Sequence, residues 1–147
     1  MNGHTKNKVV VYTYGVFDLF HRGHVELLKE AKALGDELVV GVFTDEVAAS
    51  FKRPPVVSFA DRKHMVEHCI FVDRTVVQDE LSPEKNIRAI QPQILAKGPG
   101  AGWEEGKIAP GQAAVEALGG KAVLLPYHDG ISTSALIKKV HESHKPL

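Results

Sequence analysis

Two imidazoles stand three residues apart in His21-Arg22-Gly23-His24, directly after the apolar run Lys8-Val9-Val10-Val11-Tyr12-Thr13-Tyr14-Gly15-Val16-Phe17-Asp18. Here a strand pattern hands over to a helix pattern. A helix start offers unpaired N–H donors at a positive dipole end, a natural seat for phosphate. Histidines at such a point can donate hydrogen bonds to charge growing on a phosphoryl oxygen, and Gly23 between them lets backbone approach the ligand closely. The chemistry these residues suit is phosphoryl transfer on a nucleotide. A metal pair is the poorer reading: the spacing is not the i, i+4 of a helical zinc pair, and no Cys/His cluster supplies further ligands. No protein-bound metal is expected.

A second cluster lies near the other end. Asp129-Gly130-Ile131-Ser132-Thr133-Ser134 puts hydroxyls where a helix begins. Ser132 or Thr133 serves as N-cap in any case, and these hydroxyls with the new helix's N–H groups can also hold phosphates. Asp18 reads either as a cap of its own loop through an Asx-type turn or as a group that orients the loop or approaches a metal. Lys52, with Arg53 as its close substitute, follows the helical-looking Glu46 to Phe51. A compact cation there would neutralise charge shared between two phosphates. Arg62 opens a helix, where the dipole mildly disfavours a cation, so it requires a phosphate or a carboxylate neighbour. Lys97-Gly98-Pro99-Gly100-Ala101-Gly102-Trp103 reads as a flexible loop or as glycine-rich backbone near a base or ribose. Its tryptophan, the sole one in the chain, could stack on a base or cover the site.

The elements that must position these groups alternate. Apolar β-branched runs at Val9 to Tyr14, Glu37 to Phe43, Thr75 to Val77, Ile94 to Ala96 and Ala122 to Leu125 read as strands. Helical patterns begin after His24 and stop near Gly35, then recur at Asp61 to Phe71, after Ser82-Pro83, at Gln112 to Leu118 and at Ser132 to Val140. The expected fold is α/β, a Rossmann-like open parallel sheet with right-handed crossovers and helices on both faces. Ligands then sit beyond the carboxyl ends of the strands. Four segments converge there: Gly15 to His24, Thr44 to Lys52, Lys97 to Trp103 and Tyr127 to Ser134.

The 147 residues make one domain, able to bury a core without disulfides. Residues 9 to 140 form the expected core; residues 1 to 7 and 141 to 147 read as tails, the second equally as a cut linker of a chain excised from a longer one. The single cysteine, Cys69, fits a small buried hydrophobe in a reducing cytoplasm. Eighteen basic residues balance eighteen acidic ones and are spread out, so non-specific nucleic-acid binding has no electrostatic footprint. No apolar run is long enough to span a bilayer. Neither nucleic acid nor membrane is an expected partner.

The eleven residues Tyr14-Gly15-Val16-Phe17-Asp18-Leu19-Phe20-His21-Arg22-Gly23-His24 closely resemble the signature of the cytidylyltransferase family, within the HxGH nucleotidyltransferase superfamily. The resemblance runs from about Val9 to Val140. It implies transfer of a nucleoside monophosphate from a triphosphate, carried with Mg²⁺, onto a phosphate-bearing acceptor, with release of pyrophosphate. By this resemblance His21 and His24 bind the α-phosphate and stabilise its transition state, and Ser132 and Thr133 hold the β- and γ-phosphates. Asp45-Glu46 through Phe51-Lys52 to Arg62 matches the eukaryotic-type phosphocholine cytidylyltransferases, which implies that Lys52 is an essential phosphate ligand. The implied nucleotide-binding set is Tyr14, Gly15, Phe17, Gly23, Lys97, Gly98, Gly100, Tyr127, Gly130, Ile131, Ser132, Thr133 and Ser134. Lys52, Arg53, Arg62 and Trp103 are the implied acceptor-phosphate set, and a homodimer is the implied assembly.

The chain departs from the pattern in three places. Tyr127-His128-Asp129-Gly130 stands where many members have Arg-Thr-Glu-Gly, Ile70 replaces an arginine before Phe71-Val72-Asp73, and no acidic residue follows Lys97-Gly98. His128 offers a partial substitute as a donor. The Gly98 to Glu104 loop resembles the cytidylyltransferase domains fused to phosphoenolpyruvate-mutase-like enzymes of phosphonate pathways, including fosfomycin biosynthesis. The expected reaction is therefore transfer of CMP from CTP to a small phosphonate or phosphomonoester, such as 2-hydroxyethylphosphonate or glycerol 3-phosphate. The alternative is adenylyl transfer to heptose 1-phosphate, because Asp79-Glu80-Leu81-Ser82-Pro83, Lys97-Gly98 and Gly119-Gly120 resemble those enzymes. The insertion they usually carry before the position of Arg62 is missing here. A third reading is a non-catalytic nucleotide-binding module.

Overall fold

A computed structural model describes residues 7–98, 108–126 and 131–144. Five strands, β1 (Val10–Gly15), β2 (Glu37–Phe43), β3 (Arg74–Gln78), β4 (Ile94–Lys97) and β5 (Lys121–Leu124), form one parallel sheet in the order β3-β2-β1-β4-β5. The helices are α1 (Arg22–Ala33), α2 (Asp45–Phe51), α3 (Phe59–Glu67), α4 (Glu84–Ile90), α5 (Gln112–Ala117) and α6 (Thr133–Ser143). This is the expected Rossmann-like α/β fold, with the strand order reversing between β1 and β4. No described helix is long and apolar enough to cross a membrane.

Strand alternation divides the core between the two faces. Leu38, Val40 and Val42 of β2 join Val11 of β1, Leu28 and Ala31 of α1 and Val66 of α3 on one side. Val39 and Phe43 join Tyr12 and Tyr14, Ala48 of α2, Ile87 of α4 and Val115 of α5 on the other. β1 and β2 carry apolar residues on both faces because helices cover both.

Three helix boundaries shift from expectation by two residues or more. The helix expected over Asp61 to Phe71 starts at Phe59, capped by the Ser58 hydroxyl, and ends at Glu67. It stops early because Phe71 and Val72 turn in to pack on the core, while Asp73 N–H donates to Leu38 O as the chain enters β3. At the other end α6 continues to Ser143, so the tail expected from His141 begins inside a helix.

Candidate active site

The β1–α1 junction is wound tightly. Phe17 (φ 56°) and Leu19 (φ 50°) both take the left-handed conformation on either side of Asp18, a cost of about 1–3 kcal/mol each that surrounding contacts must offset. Asp18 supplies some of these: its two carboxylate oxygens accept from Val56 N–H (2.8 Å) and Val57 N–H (2.9 Å). These bonds are not the Asx-type cap of its own loop that the sequence suggested: Asp18 orients the loop by tying it to the distant Val56-Val57 segment.

His21 caps α1 through an unusual box. Its Nδ1 accepts from Gly23 N–H at 3.0 Å, and His24 Nδ1 accepts from His21 N–H at 3.2 Å. Both Nδ1 lone pairs are therefore occupied, which puts the ring protons on Nε2 and makes both histidines donors. The His21 and His24 rings stack with centroids 3.8 Å apart, and Phe20 stacks on the other side of His24 at 5.5 Å. Burial, then the proximity of His21 and of Lys52, pushes the His24 pKa down to about 3. His24 is thus a neutral, rotationally fixed N–H donor. A Cβ on Gly23 would lie 2.9 Å from His21 Cε1, so only glycine leaves this arrangement intact.

The start of α6 meets the same point. Ser132 Oγ caps the helix by accepting from Ala135 N–H at 3.0 Å. Thr133 Oγ1, buried, donates to Asp18 O at 2.8 Å and lies 3.3 Å from His21 Nε2, 112 positions away in sequence. Since the threonine proton goes to Asp18, the histidine donates in that contact. The N-termini of α1 and α6 converge, as the two motifs required.

A cleft of about 940 Å³ opens here, beyond the ends of β1 and β4. Tyr14, Gly15, Phe17, His21, Gly23 and His24 line its middle; Lys97, Gly98, Pro126, Ile131, Ser132 and Thr133 line the β4–β5 side. On the β2–β3 side are Phe43, Phe51, Lys52, Arg53, Leu81 and Ser82. Lys97 is buried, and its Nζ donates to Tyr14 O at 2.6 Å and sits 4.0 Å above the Tyr14 ring. Burial first, and Lys52 second, push its pKa down to about 7. The Lys52 pKa is lowered by desolvation and then by Arg53, and Arg53 Nε is buried without a hydrogen-bond partner among the described residues. Two crowded cations and a buried lysine with neutral partners fit a cleft that receives anions.

Two expected site residues are elsewhere. Arg62 is fully buried: Nε donates to Val57 O (2.9 Å), one terminal nitrogen to Val16 O (2.6 Å), and the other to Phe43 O (2.8 Å) and Asp45 Oδ1 (2.7 Å). Its neighbour is the carboxylate, not a substrate phosphate; the planar fork is consumed in tying the β1, β2 and 52–58 loops together. Ser134 is exposed on α6 and does not line the cleft. Gly100, Trp103, Tyr127, His128 and Gly130 lie outside the described residues.

Leu81 and Ser82 are cleft residues that motif reasoning missed as such. They are placed by Gln78, whose Nε2 donates to Glu80 O (2.7 Å) and Ser82 O (2.9 Å). Gln78 Oε1 in turn accepts from Tyr12 Oη and from Asn86 Nδ2. A Cβ on Gly41 would lie 2.0 Å from Tyr12 Oη, so that glycine makes room for the network. The signal available was the polar run Asp79 to Ser82 directly after a strand end.

Asp18 is the one acidic residue among the described cleft-lining residues, and both its oxygens already accept backbone N–H bonds.

The comparisons with known proteins agree with this geometry. A family model described as Cytidylyltransferase-like matches residues 12–139. The chain belongs to the cytidylyltransferase-like family of nucleotidyltransferases. The Bifunctional protein HldE of Citrifermentans bemidjiense is 41% identical over 143 residues, covering 96% of this chain and 29% of that protein. The HldE of Helicobacter pylori strain P12 is 38% identical over 137 residues, 92% of this chain and 28% of the relative. The chain thus spans under a third of the length of these relatives. Among solved structures, the lipopolysaccharide core biosynthesis protein of Thermoplasma volcanium superposes with a TM-score of 0.71 at 29% identity, over 85% of this chain and all of that one. These relatives correct the expected branch: they are HldE proteins, not phosphonate-pathway fusions, so the likeness of the Gly98 to Glu104 loop does not carry that assignment.

Proposed function

We propose that this member of the family transfers the adenylyl group of ATP to a sugar 1-phosphate of the heptose 1-phosphate class, releasing pyrophosphate. The HldE and lipopolysaccharide-core relatives favour this branch, heptose being a sugar of lipopolysaccharide cores. So does the Asp79 to Pro83 segment, whose Leu81 and Ser82 line the cleft beside Lys52 and Arg53. The observation that carries the reading is the meeting of two helix N-termini around two neutral N–H donors, His21 and His24.

In this reading an oxygen of the acceptor phosphate attacks the α-phosphorus in line. The bond from the α-phosphorus to the bridging oxygen breaks, and pyrophosphate leaves with the electron pair. A phosphate dianion needs no base, and the histidine Nδ1 atoms and the Asp18 oxygens already accept hydrogen bonds. His24 donates its Nε2 proton to an α-phosphate oxygen as charge accumulates, with His21 beside it. Ser132, Thr133 and the α6 N-terminus retain the β- and γ-phosphates. Lys52 and Arg53 hold the acceptor's phosphate against the α-phosphate, and the apolar faces of Phe51 and Leu81 flank its sugar ring. Lys97 and Gly98 face the nucleoside. Mg²⁺, when it arrives on the triphosphate, lowers the net charge that these cations must meet.

Pyrophosphate release measured with each of the four triphosphates, against heptose 1-phosphate, glycerol 3-phosphate and 2-hydroxyethylphosphonate, tests the proposal. Release is expected with ATP and heptose 1-phosphate. Turnover with CTP alone, or tight nucleotide binding without any pyrophosphate, would overturn it.

A further inference from the structure

Away from the cleft, α3 and its C-cap carry His64-Met65-Val66-Glu67-His68. The two imidazoles are at i and i+4, one turn apart on one helix face. All three potential ligands are exposed, and their donor atoms lie within 4.8 Å of one another. We propose that His64, Glu67 and His68 form a surface site for a divalent cation of the zinc class, beside the edge strand β3.

The side chains around the three ligands hold them in a binding arrangement. His68 Nδ1 lies 2.8 Å from His64 O. A carbonyl can only accept, so the proton sits on Nδ1 and the Nε2 lone pair is left for an ion, the orientation that outer partners give metal-ligating histidines. The His64 ring is close by, with centroids 4.2 Å apart. Glu67 Oε1 accepts from Thr75 Oγ1 of β3 at 2.7 Å and from Lys63 Nζ, so these bonds orient the carboxylate through one oxygen. Two imidazole nitrogens with one carboxylate oxygen suit zinc, nickel or copper rather than magnesium or calcium. The same H-x-x-E-H order presents zinc ligands on helices of some hydrolases. Here all three ligands are exposed and none of them lines the candidate active-site cleft, so the site stands independently of the transfer reaction.

Titration of the untagged, nucleotide-free chain with Co²⁺, followed by its visible absorption, and with Zn²⁺ by calorimetry tests this. One equivalent is expected to bind with micromolar affinity. The double variant His64→Ala/His68→Ala should bind at least about tenfold more weakly, and Glu67→Gln to a lesser degree. Because all three side chains are exposed, the metal-free melting temperature should not change. His24→Ala separates this site from the histidine pair of the cleft and should bind the metal normally. Equal affinity in wild type and double variant, or loss of binding in His24→Ala, would overturn the assignment.

Discussion

His24 is held between His21 and Phe20 with its Nδ1 already accepting a bond, so its one remaining function is to donate from Nε2. His24→Ala should keep the fold and lose about 10²–10³ in turnover, as removal of a single transition-state donor typically does. Circular dichroism beside pyrophosphate release would check both halves. Gly23→Ala should be nearly as damaging without removing any functional group, because its methyl displaces the His21 ring. Lys97 sets stability against function. A buried amine whose partners are a carbonyl and a ring burdens the empty chain, so Lys97→Met should raise unfolding stability at neutral pH by about 1–3 kcal/mol. It should also weaken ATP binding, measured by calorimetry. A variant that is less stable and binds normally would contradict this assignment. The histidines, Lys52 and Ser132 stood out because their surroundings resemble the family signature, and all of them line the cleft. The role of Arg62 did not: a sequence shows that a cation stands at a helix start but not which oxygens it faces.

The short connecting elements do more than link strands. Arg62, on α3, satisfies carbonyls at the ends of β1 and β2 and in the segment after α2, so one side chain fixes three walls of the cleft. Arg62→Ala would leave these three carbonyl oxygens unpaired in a buried setting and remove the cation beside the half-exposed Asp45; it should cost about 3–5 kcal/mol, read as a lower urea midpoint. Arg62→Lys should recover little of this, because an ammonium cannot reproduce the planar fork. The strands were legible to within a residue or so because both-face burial leaves continuous apolar runs. The end of α3 was not, since packing of Phe71 and Val72 against the core overrides a helical pattern that continues past Glu67. The Gln78 network was equally hidden. Tyr12, Gly41, Gln78 and Asn86 have no local pattern in common, and only the lateral packing of β1, β2 and β3 with α4 over them brings them together.

For the molecule as a whole, two depressed pKa values set how stability varies with pH. Folded Lys97 titrates near 7 against its ordinary 10.5, so the unfolded chain binds the extra proton between these values and stability rises with pH across that window. Folded His24 titrates near 3 against 6.5, so stability falls as pH drops from 6.5 towards 3. Both slopes have the same sign, and urea midpoints between about pH 5 and pH 9 should climb steadily. In Lys97→Met the climb above neutrality should shrink to the part that Lys52 supplies, while the acid limb persists. The histidine and hydroxyl motifs proposed to hold phosphate lie on the first βα unit and the last, and only the 3-2-1-4-5 strand order brings them into contact. A fold that lacked α6 would therefore present only half of the proposed nucleotide seat. In that reading a bound nucleotide is a clasp between the first and last βα units of this domain, and protection from proteolysis by nucleotide should appear only in variants that retain α6.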